Sequence, residues 1–205
     1  MSREPHPSCP VAFPDADVCY LPNVMPSAER DTILRRLITQ VPWRQENIVV
    51  WGKTYLQPRL IAWYGDPGCS YTYSGITLNP LPWSPQLLEL KDLVESASGV
   101  CFNSVLLNYY RDQRDSMGLH SDDEPELGAR PILASLSLGQ ERTLTFKHKV
   151  RKDVSPIKIR LESGSLLLMK GDTQRCWKHG IEKESRPCGP RINLTFRQIV
   201  TRTET

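Results

Sequence analysis

The stretch Arg191-Ile192-Asn193-Leu194-Thr195-Phe196-Arg197 alternates strictly between polar and apolar side chains. Successive side chains of a β-strand point to opposite faces, so the polar residues share one face and the apolar residues share the other. Two interpretations follow: the strand lies at the surface with its polar face in water, or it lines the interior of a barrel. The second interpretation requires an anion, because two guanidinium groups are costly to bury without one.

A candidate metal site lies upstream, in Leu119-His120-Ser121-Asp122-Asp123-Glu124. His120 and Asp122 leave the same face of a strand or tight turn, so both can bind one metal, and His179 is a candidate third ligand from a distant strand. Two imidazoles and one carboxylate hold Fe(II) and leave positions open for a bidentate oxo-acid and dioxygen. An arginine fork then suits the far carboxylate of that acid.

The His-x-Asp tripeptide alone is equally compatible with ordinary polar or capping histidines, in a chain that has 4 histidines in all. The downstream strand with its two arginines favours the metal site, because that strand would supply the cations for the anionic co-substrate.

Length and composition indicate a single domain. The chain has 205 residues and a net charge of +3, which allows a full core and makes the protein only mildly basic. It has no apolar run long enough for a transmembrane helix and no N-terminal signal core, so we expect an intracellular protein without membrane association. Nothing in the sequence demands more than a monomer. Its compartment would be the cytoplasm in a bacterium, and the nucleus, the cytoplasm or both in a eukaryote.

The 6 cysteines lack C-x-x-C spacing, which argues against a zinc site and a disulfide framework.

The order of predicted elements indicates the fold class. The 17 prolines and 12 glycines favour a β-rich chain with many turns. Apolar spacing predicts one helix over residues 27–41 and another from Ser84-Pro85 to Gly99, after an irregular lead-in over residues 1–26. Strand-like segments follow from residue 100. We therefore predict a mainly β protein with flanking helices (α+β), whose core over residues 100–200 is a double-stranded β-helix, or jelly roll.

Two other segments are candidates for contact with nucleic acid. Tyr71 and Tyr73 share one face of a strand, and they either pack in the core or form a surface on which a planar base stacks. The basic run at 147–152 either binds phosphates or is the solvated tip of a hairpin.

With these residues identified, the chain resembles the AlkB family of Fe(II)- and 2-oxoglutarate-dependent dioxygenases, in the branch of the nucleic-acid repair demethylases. The resemblance covers roughly residues 43–200. It implies one dioxygenase domain over 27–205, with 43–80 as the nucleotide-recognition region. The motifs that carry it are Gln57-Pro58-Arg59, Trp63-Tyr64-Gly65, Tyr71-Thr72-Tyr73-Ser74, Asn108-x-Tyr110-Arg111, His120-Ser121-Asp122-Asp123-Glu124 and the stretch 191–197.

The resemblance also implies a role for each matching position. The catalytic residues His120, Asp122 and His179 would bind the iron. Arg191 would pair with the distal carboxylate of 2-oxoglutarate, and Trp43 would border this co-substrate. The other contacts of 2-oxoglutarate would be with Asn108, Tyr110, Asn193, Thr195 and Arg197. The methylated base would be contacted by Tyr71, Tyr73, Asp123, Glu124 and Arg59.

The implied activity is oxidative demethylation of bases such as 1-methyladenine and 3-methylcytosine in DNA, and the sequence leaves open whether RNA is a substrate as well. Fe(II) would be the cofactor and 2-oxoglutarate and O2 the co-substrates, with formaldehyde, succinate and CO2 as products. These methylated bases are cationic, so a carboxylate such as Asp123 near the iron would favour them over neutral bases. The partner would be alkylated DNA or RNA, single-stranded or with the base flipped out.

Two alternatives stay open at this stage. One is an oxygenase of the same chemistry that acts on proteins or small molecules, against which the aromatic pair and the acidic residues argue. The other is a non-catalytic nucleic-acid-binding module without iron, against which the intact set of His120, Asp122 and His179 argues.

Overall fold

The computed structural model describes residues 10–50, 52–69, 71–73 and 76–200, without the side chains of 10, 48–50, 71–73 and 76–78. Three α-helices are described: α1 Ser27–Gln40, α2 Pro85–Ser98 and the short α3 Thr173–Cys176. The strands are β1 Pro10–Val11, β2 Asp17–Leu21, β3 Asn47–Val50, β4 Lys53–Leu56, β5 Leu60–Gly65, β6 Tyr71–Tyr73, β7 Ile76–Leu78, β8 Ser104–Tyr110, β9 Met117–His120, β10 Leu133–Gly139, β11 Arg142–His148, β12 Ile157–Leu161, β13 Leu166–Lys170, β14 Trp177–Ile181 and β15 Arg191–Arg197.

Two antiparallel sheets form the core of the protein. The larger sheet has the strand order β1-β2-β13-β10-β15-β8-β5, and the smaller sheet has the order β12-β11-β14-β9. Tyr110 and Leu133 of the larger sheet pack in one buried cluster with Phe146 and Trp177 of the smaller sheet. Two separate hairpins, β3-β4 and β6-β7, accompany them. The predicted mainly β, double-sheet jelly roll is confirmed.

Strand β15 lies in the middle of the larger sheet, between β10 and β8. All seven of its residues are buried. Ile192, Leu194 and Phe196 share a hydrophobic cluster with residues of the helices, among them Leu37 and Leu90. The polar face of β15 therefore points to the other side, towards the smaller sheet. The barrel-lining interpretation of this strand is confirmed, and the surface-strand interpretation is wrong.

The helices α1 and α2 pack on the outer face of the larger sheet and bury its apolar side. Both occur where the apolar spacing predicted them. The Ser84 hydroxyl accepts a hydrogen bond from the backbone N–H of Leu87 at 3.3 Å, which caps the start of α2. Gly99 ends α2 in the left-handed conformation, with φ of 70°.

The lead-in differs from its prediction. Residues 17–21 are not irregular: β2 pairs antiparallel with β13, and its Val18, Cys19 and Leu21 are buried. A pattern of five residues among prolines is too short to be recognised as a strand from the sequence. This segment is a strand because it pairs with β13. Residues 10–11 are not irregular either, because they form β1, which pairs with β2. Residues 1–9 of the predicted lead-in lie outside the described residues.

Two other sequence expectations concern cysteines and membranes. Cys69, Cys101, Cys176 and Cys188 are free thiols. Among the residues that the structure describes, every helix is too short or too polar to cross a membrane.

A candidate metal and co-substrate site

Pairing of β9 with β14 brings the two candidate histidine ligands together. His120, the last residue of β9, is the Cα partner of His179 in β14, and their ring centroids are 4.4 Å apart. Asp122 lies just past the end of β9. The ligand atoms of the three residues all lie within 4.8 Å of one another. Two imidazoles and one carboxylate at this spacing fit the facial set that holds Fe(II).

Asp122 is held in place from three directions. Its backbone N–H donates to Gln174 Oε1 at 3.0 Å, and its Oδ1 accepts from the Arg197 guanidinium at 2.5 Å. Its Oδ2 lies 3.5 Å from His179 Nε2. Burial by itself would raise the pKa of Asp122, but Arg197 and the neighbouring histidines hold that pKa well below its usual range. The carboxylate is therefore ionised, as a metal ligand must be.

The imidazole of His120 is also oriented for metal binding. His120 Nδ1 lies 3.0 Å from the carbonyl oxygen of Gly118, so an Nδ1–H that donates to this carbonyl leaves Nε2 to bind a metal. Burial, together with nearby His179, lowers the pKa of His120 to about 4, which keeps its imidazole neutral at physiological pH. His179 is 6% exposed.

The cavity between the two sheets, here called the inner cavity, contains the three candidate ligands and all six predicted co-substrate residues. The strands β8 and β15 carry these six residues on their inward faces: Asn108, Tyr110, Arg191, Asn193, Thr195 and Arg197. The other residues of the wall were not predicted from the sequence. Alternation within each strand was the only signal that could have indicated their inward direction. They are Met117, Ser135, Leu144, Leu161, Met169, Gly180 and Ile181.

Arg191 is a buried cation in this cavity, only 1% exposed. One of its terminal nitrogens donates to Ser137 Oγ at 2.9 Å, and its guanidinium lies 5.1 Å from the centre of the Tyr110 ring. Its Nε and other terminal nitrogen have no hydrogen-bond partner in the described part of the chain. Burial lowers its pKa to about 10, so it stays charged at neutral pH. Two free donors on a buried cation fit one end of a dicarboxylate such as 2-oxoglutarate.

A second space, here called the outer cavity, has a volume of about 270 Å³ and meets the inner cavity at His120, Asp122 and Arg197. Predicted base-contact residues Arg59 and Glu124 line it. Arg59 also reaches back towards the inner cavity, because its Nε donates to Asn108 Oδ1 at 2.7 Å. The wall also contains residues to which no role was given: Gln57, Ile61, Trp63, Leu106 and Leu119.

Asp123 does not line either cavity. Its side chain is 60% exposed, and its carboxylate lies 3.0 Å from Lys149 Nζ. Consecutive residues of an extended chain point in opposite directions, so turning Asp122 inwards turns Asp123 outwards. The predicted contact of Asp123 with the methylated base stays a prediction.

Trp43 is also absent from the inner cavity. Its indole N–H lies 3.2 Å from the carbonyl oxygens of Leu37 and Ile38, and its ring packs against Tyr109 at 5.1 Å. Trp43 thus covers the end of α1 on the helix side of the larger sheet, and the expectation that it borders the co-substrate is wrong.

The remaining predicted base contacts are Tyr71 and Tyr73. Their backbone forms β6, which pairs with β7 in a hairpin. The prediction concerns their side chains, which lie outside what the structure describes, and it stays a prediction.

Comparison with known proteins adds to this geometry. The model of the 2OG-Fe(II) oxygenase superfamily matches residues 17–197. Alpha-ketoglutarate-dependent dioxygenase alkB homolog 3 of Homo sapiens is 45% identical over 190 residues, which are 89% of this chain and 66% of that protein. DNA oxidative demethylase ALKBH2 of Mus musculus is 41% identical over 182 residues, which are 84% of this chain and 76% of that protein.

A solved structure of OsALKBH1 has the same fold, with a TM-score of 0.62 at 21% identity. The match covers 92% of this chain and 100% of that one. This chain spans just under two thirds of the length of the human alkB homolog 3 protein.

Proposed function

We propose that this chain, which belongs to the AlkB family of the 2OG-Fe(II) oxygenase superfamily, is an oxidative demethylase of N-alkylated bases in nucleic acid. One observation carries the proposal. The residues suited to bind iron lie where two cavities meet, with Arg191 in the inner cavity and Glu124 in the outer one. A dicarboxylate and a cationic methylated base can therefore approach the same metal from different sides.

The chain's own residues hold the reactants in this mechanism. His120, Asp122 and His179 bind Fe(II), and Arg191 pairs with the distal carboxylate of 2-oxoglutarate. Contacts with the rest of the co-substrate come from Asn108, Tyr110, Asn193, Thr195 and Arg197. Bound Fe(II), with 2-oxoglutarate and O2, supplies the oxidation of the N-methyl group to hydroxymethyl, which leaves as formaldehyde while the co-substrate becomes succinate and CO2.

Apolar residues keep water away from the reacting groups. The smaller sheet contributes Leu144, Leu161 and Ile181 to the wall of the inner cavity, and all three are buried. Exclusion of water strengthens the charge interactions of Arg191 and limits side reactions near the metal.

The substrate class follows from charge and access. Methylation at N1 of adenine or N3 of cytosine makes the base cationic, so the Glu124 carboxylate in the outer cavity favours it over the neutral base. Asp122 is only 3% exposed, which puts the metal out of reach of a base stacked in a duplex. We therefore propose alkylated DNA or RNA that is single-stranded or has its base flipped out, with the enzyme acting as a monomer. Such a substrate agrees with an intracellular enzyme of the bacterial cytoplasm or of the eukaryotic nucleus or cytoplasm.

The outer surface of the smaller sheet offers a site for the phosphates. Lys147 in β11 and Lys178 in β14 are exposed and are direct cross-strand partners. Like charges in this arrangement destabilise a strand pair, so an anion bound between them is favoured. Lys147 begins the basic run at 147–152, whose Lys149 lies next to Asp123 near the outer cavity.

Replacement of both Lys147 and Lys178 by alanine is expected to weaken binding of a single-stranded oligonucleotide about tenfold at low salt, and to reduce the dependence of affinity on salt. Fluorescence anisotropy with a labelled oligonucleotide measures both effects, and the KM for 2-oxoglutarate stays unchanged. Lys91→Ala on α2 is the control, since α2 packs on the far face of the larger sheet. Unaltered affinity in the double variant would leave the basic run as the solvated tip of a hairpin.

The proposed activity is tested with the purified protein, Fe(II), ascorbate, 2-oxoglutarate and a single-stranded oligonucleotide carrying 3-methylcytosine or 1-methyladenine. We expect loss of the methyl group that requires 2-oxoglutarate and disappears in His120→Ala. Succinate formation without methyl loss would point instead to protein or small-molecule substrates. Oligonucleotide binding by a parent protein that never turns over 2-oxoglutarate would support the non-catalytic binding module. A matched RNA oligonucleotide then tests the nucleic-acid preference.

A further inference from the structure

Gln57 presents an unpaired amide to the outer cavity. Its side chain lines that cavity, yet the residue is only 1% exposed. Neither Oε1 nor Nε2 has a hydrogen-bond partner in the described part of the chain. A buried polar group left without a partner destabilises the folded protein, so such groups are rare and call for an explanation. One explanation is a ligand that enters the outer cavity and hydrogen-bonds with the amide.

The backbone of Gln57 is fixed at both of its polar groups. Its N–H donates to the carbonyl oxygen of Glu46 at 2.9 Å, and its own carbonyl oxygen accepts from Gln45 Nε2 at 2.7 Å. The carbonyl oxygen of the next residue, Pro58, accepts from the N–H of Ser116 at 3.2 Å. The amide of Gln57 thus extends from a backbone segment that is already fixed. Little conformational entropy is therefore lost there when a ligand binds.

The chemistry of the amide fits the edge of a methylated base. In 1-methyladenine and 3-methylcytosine the methylated ring nitrogen neighbours the carbon that bears the exocyclic amino group. When the methyl group points at His120 and Asp122, this amino group lies beside it on the cavity wall. A glutamine Oε1 accepts from such an amino group, and in adenine the adjacent N7 can also accept from Nε2, which gives a bidentate pair.

We propose that Gln57 is a specificity-determining residue, which hydrogen-bonds the exocyclic amino edge of the flipped base and favours 1-methyladenine over 3-methylcytosine. This inference rests on the proposed function. It assigns to Gln57 a contact with the substrate and no part in the oxidation itself.

Replacement of Gln57 by leucine tests the proposal, because leucine fills a similar space without the amide. Among the described residues no hydrogen bond is lost, so the unfolding temperature stays unchanged or rises. We expect kcat/KM to fall about tenfold for an oligonucleotide with 1-methyladenine and about threefold for one with 3-methylcytosine. The KM for 2-oxoglutarate stays the same. Gln86→Leu on α2 is the matched control and leaves both rates unchanged.

A modified base gives a readout that a purely structural role of Gln57 would not alter. Replacing N7 of 1-methyladenine by carbon removes the second acceptor, so the parent protein loses rate on this base while Gln57→Leu shows no further loss. Equal rates of parent and Gln57→Leu on both methylated bases would overturn the inference and leave the demethylase function standing. So would a lower unfolding temperature of Gln57→Leu, since the amide would then have a partner in the protein. A parent protein that removes neither methyl group would overturn both.

Discussion

Asp122→Ala is expected to abolish demethylation and to lower the stability of the protein at the same time. Asp122 is the one carboxylate in the candidate ligand set, and without it two imidazoles are left to hold the metal. Arg197, 5% exposed, would lose the carboxylate it pairs with at 2.5 Å. Removing one partner of a buried ion pair costs about 3–5 kcal/mol. We therefore expect methyl loss below detection and a fall of about 3 kcal/mol in the free energy of unfolding.

Urea denaturation of the metal-free protein measures the stability effect, and the oligonucleotide assay measures the activity. Asp92→Ala is the matched control, because Asp92 is exposed on α2 and far from the metal site. It should change neither quantity. An Asp122→Ala variant as stable as the parent would contradict the buried ion pair with Arg197, and one that still removes methyl groups would contradict the assigned metal site.

Arg191→Met is expected to have the opposite effect on stability while it damages co-substrate binding. The guanidinium of Arg191 is buried, and two of its nitrogens lack partners among the described residues, so methionine removes a poorly compensated charge and one hydrogen bond to Ser137. Loss of a bidentate charge-assisted pair with the 2-oxoglutarate carboxylate should raise the KM for 2-oxoglutarate about 100-fold. The free energy of unfolding without ligand should stay the same or rise.

Arg142→Met provides a contrast to this prediction. Arg142 lies 5.7 Å from the centre of the same Tyr110 ring and is equally buried, but its guanidinium donates to the carbonyl oxygens of Asp112, Asp115 and Glu182. Its loss should therefore destabilise the protein. Thermal unfolding with and without 2-oxoglutarate compares the variants, since a bound ligand raises the unfolding temperature. A parent and an Arg191→Met variant stabilised equally by 2-oxoglutarate would refute the role of Arg191.

The features that the sequence predicted well are those contained in a single strand. Alternation along β15 is enough to put Arg191, Asn193, Thr195 and Arg197 on one face, and the cost of burying two arginines points to an anion. The tripeptide from His120 to Asp122 likewise needs only local geometry. The second helix was readable because Ser84, Pro85 and Gly99 carry its boundaries themselves.

Features that depend on pairing between distant strands were not predictable in this way. Strand β2 exists because β13 lies beside it, and Leu144 and Leu161 face the inner cavity because β11 and β12 lie opposite the larger sheet. Gln57 belonged to a recognised motif, but only the structure reveals that its amide is buried without a partner in the part of the chain that is described. The outward direction of Asp123 follows from the inward direction of Asp122, which the sequence leaves open.

The most direct test of the demethylase proposal is the ratio of formaldehyde to succinate in a single reaction. The parent protein would be given Fe(II), 2-oxoglutarate and a limiting amount of a single-stranded oligonucleotide carrying 3-methylcytosine. The arrangement of the two cavities around one metal predicts one formaldehyde for each methyl group lost, with succinate formed in the same amount and neither product formed without 2-oxoglutarate. Succinate without formaldehyde, while the methyl group stays on the base, would contradict it.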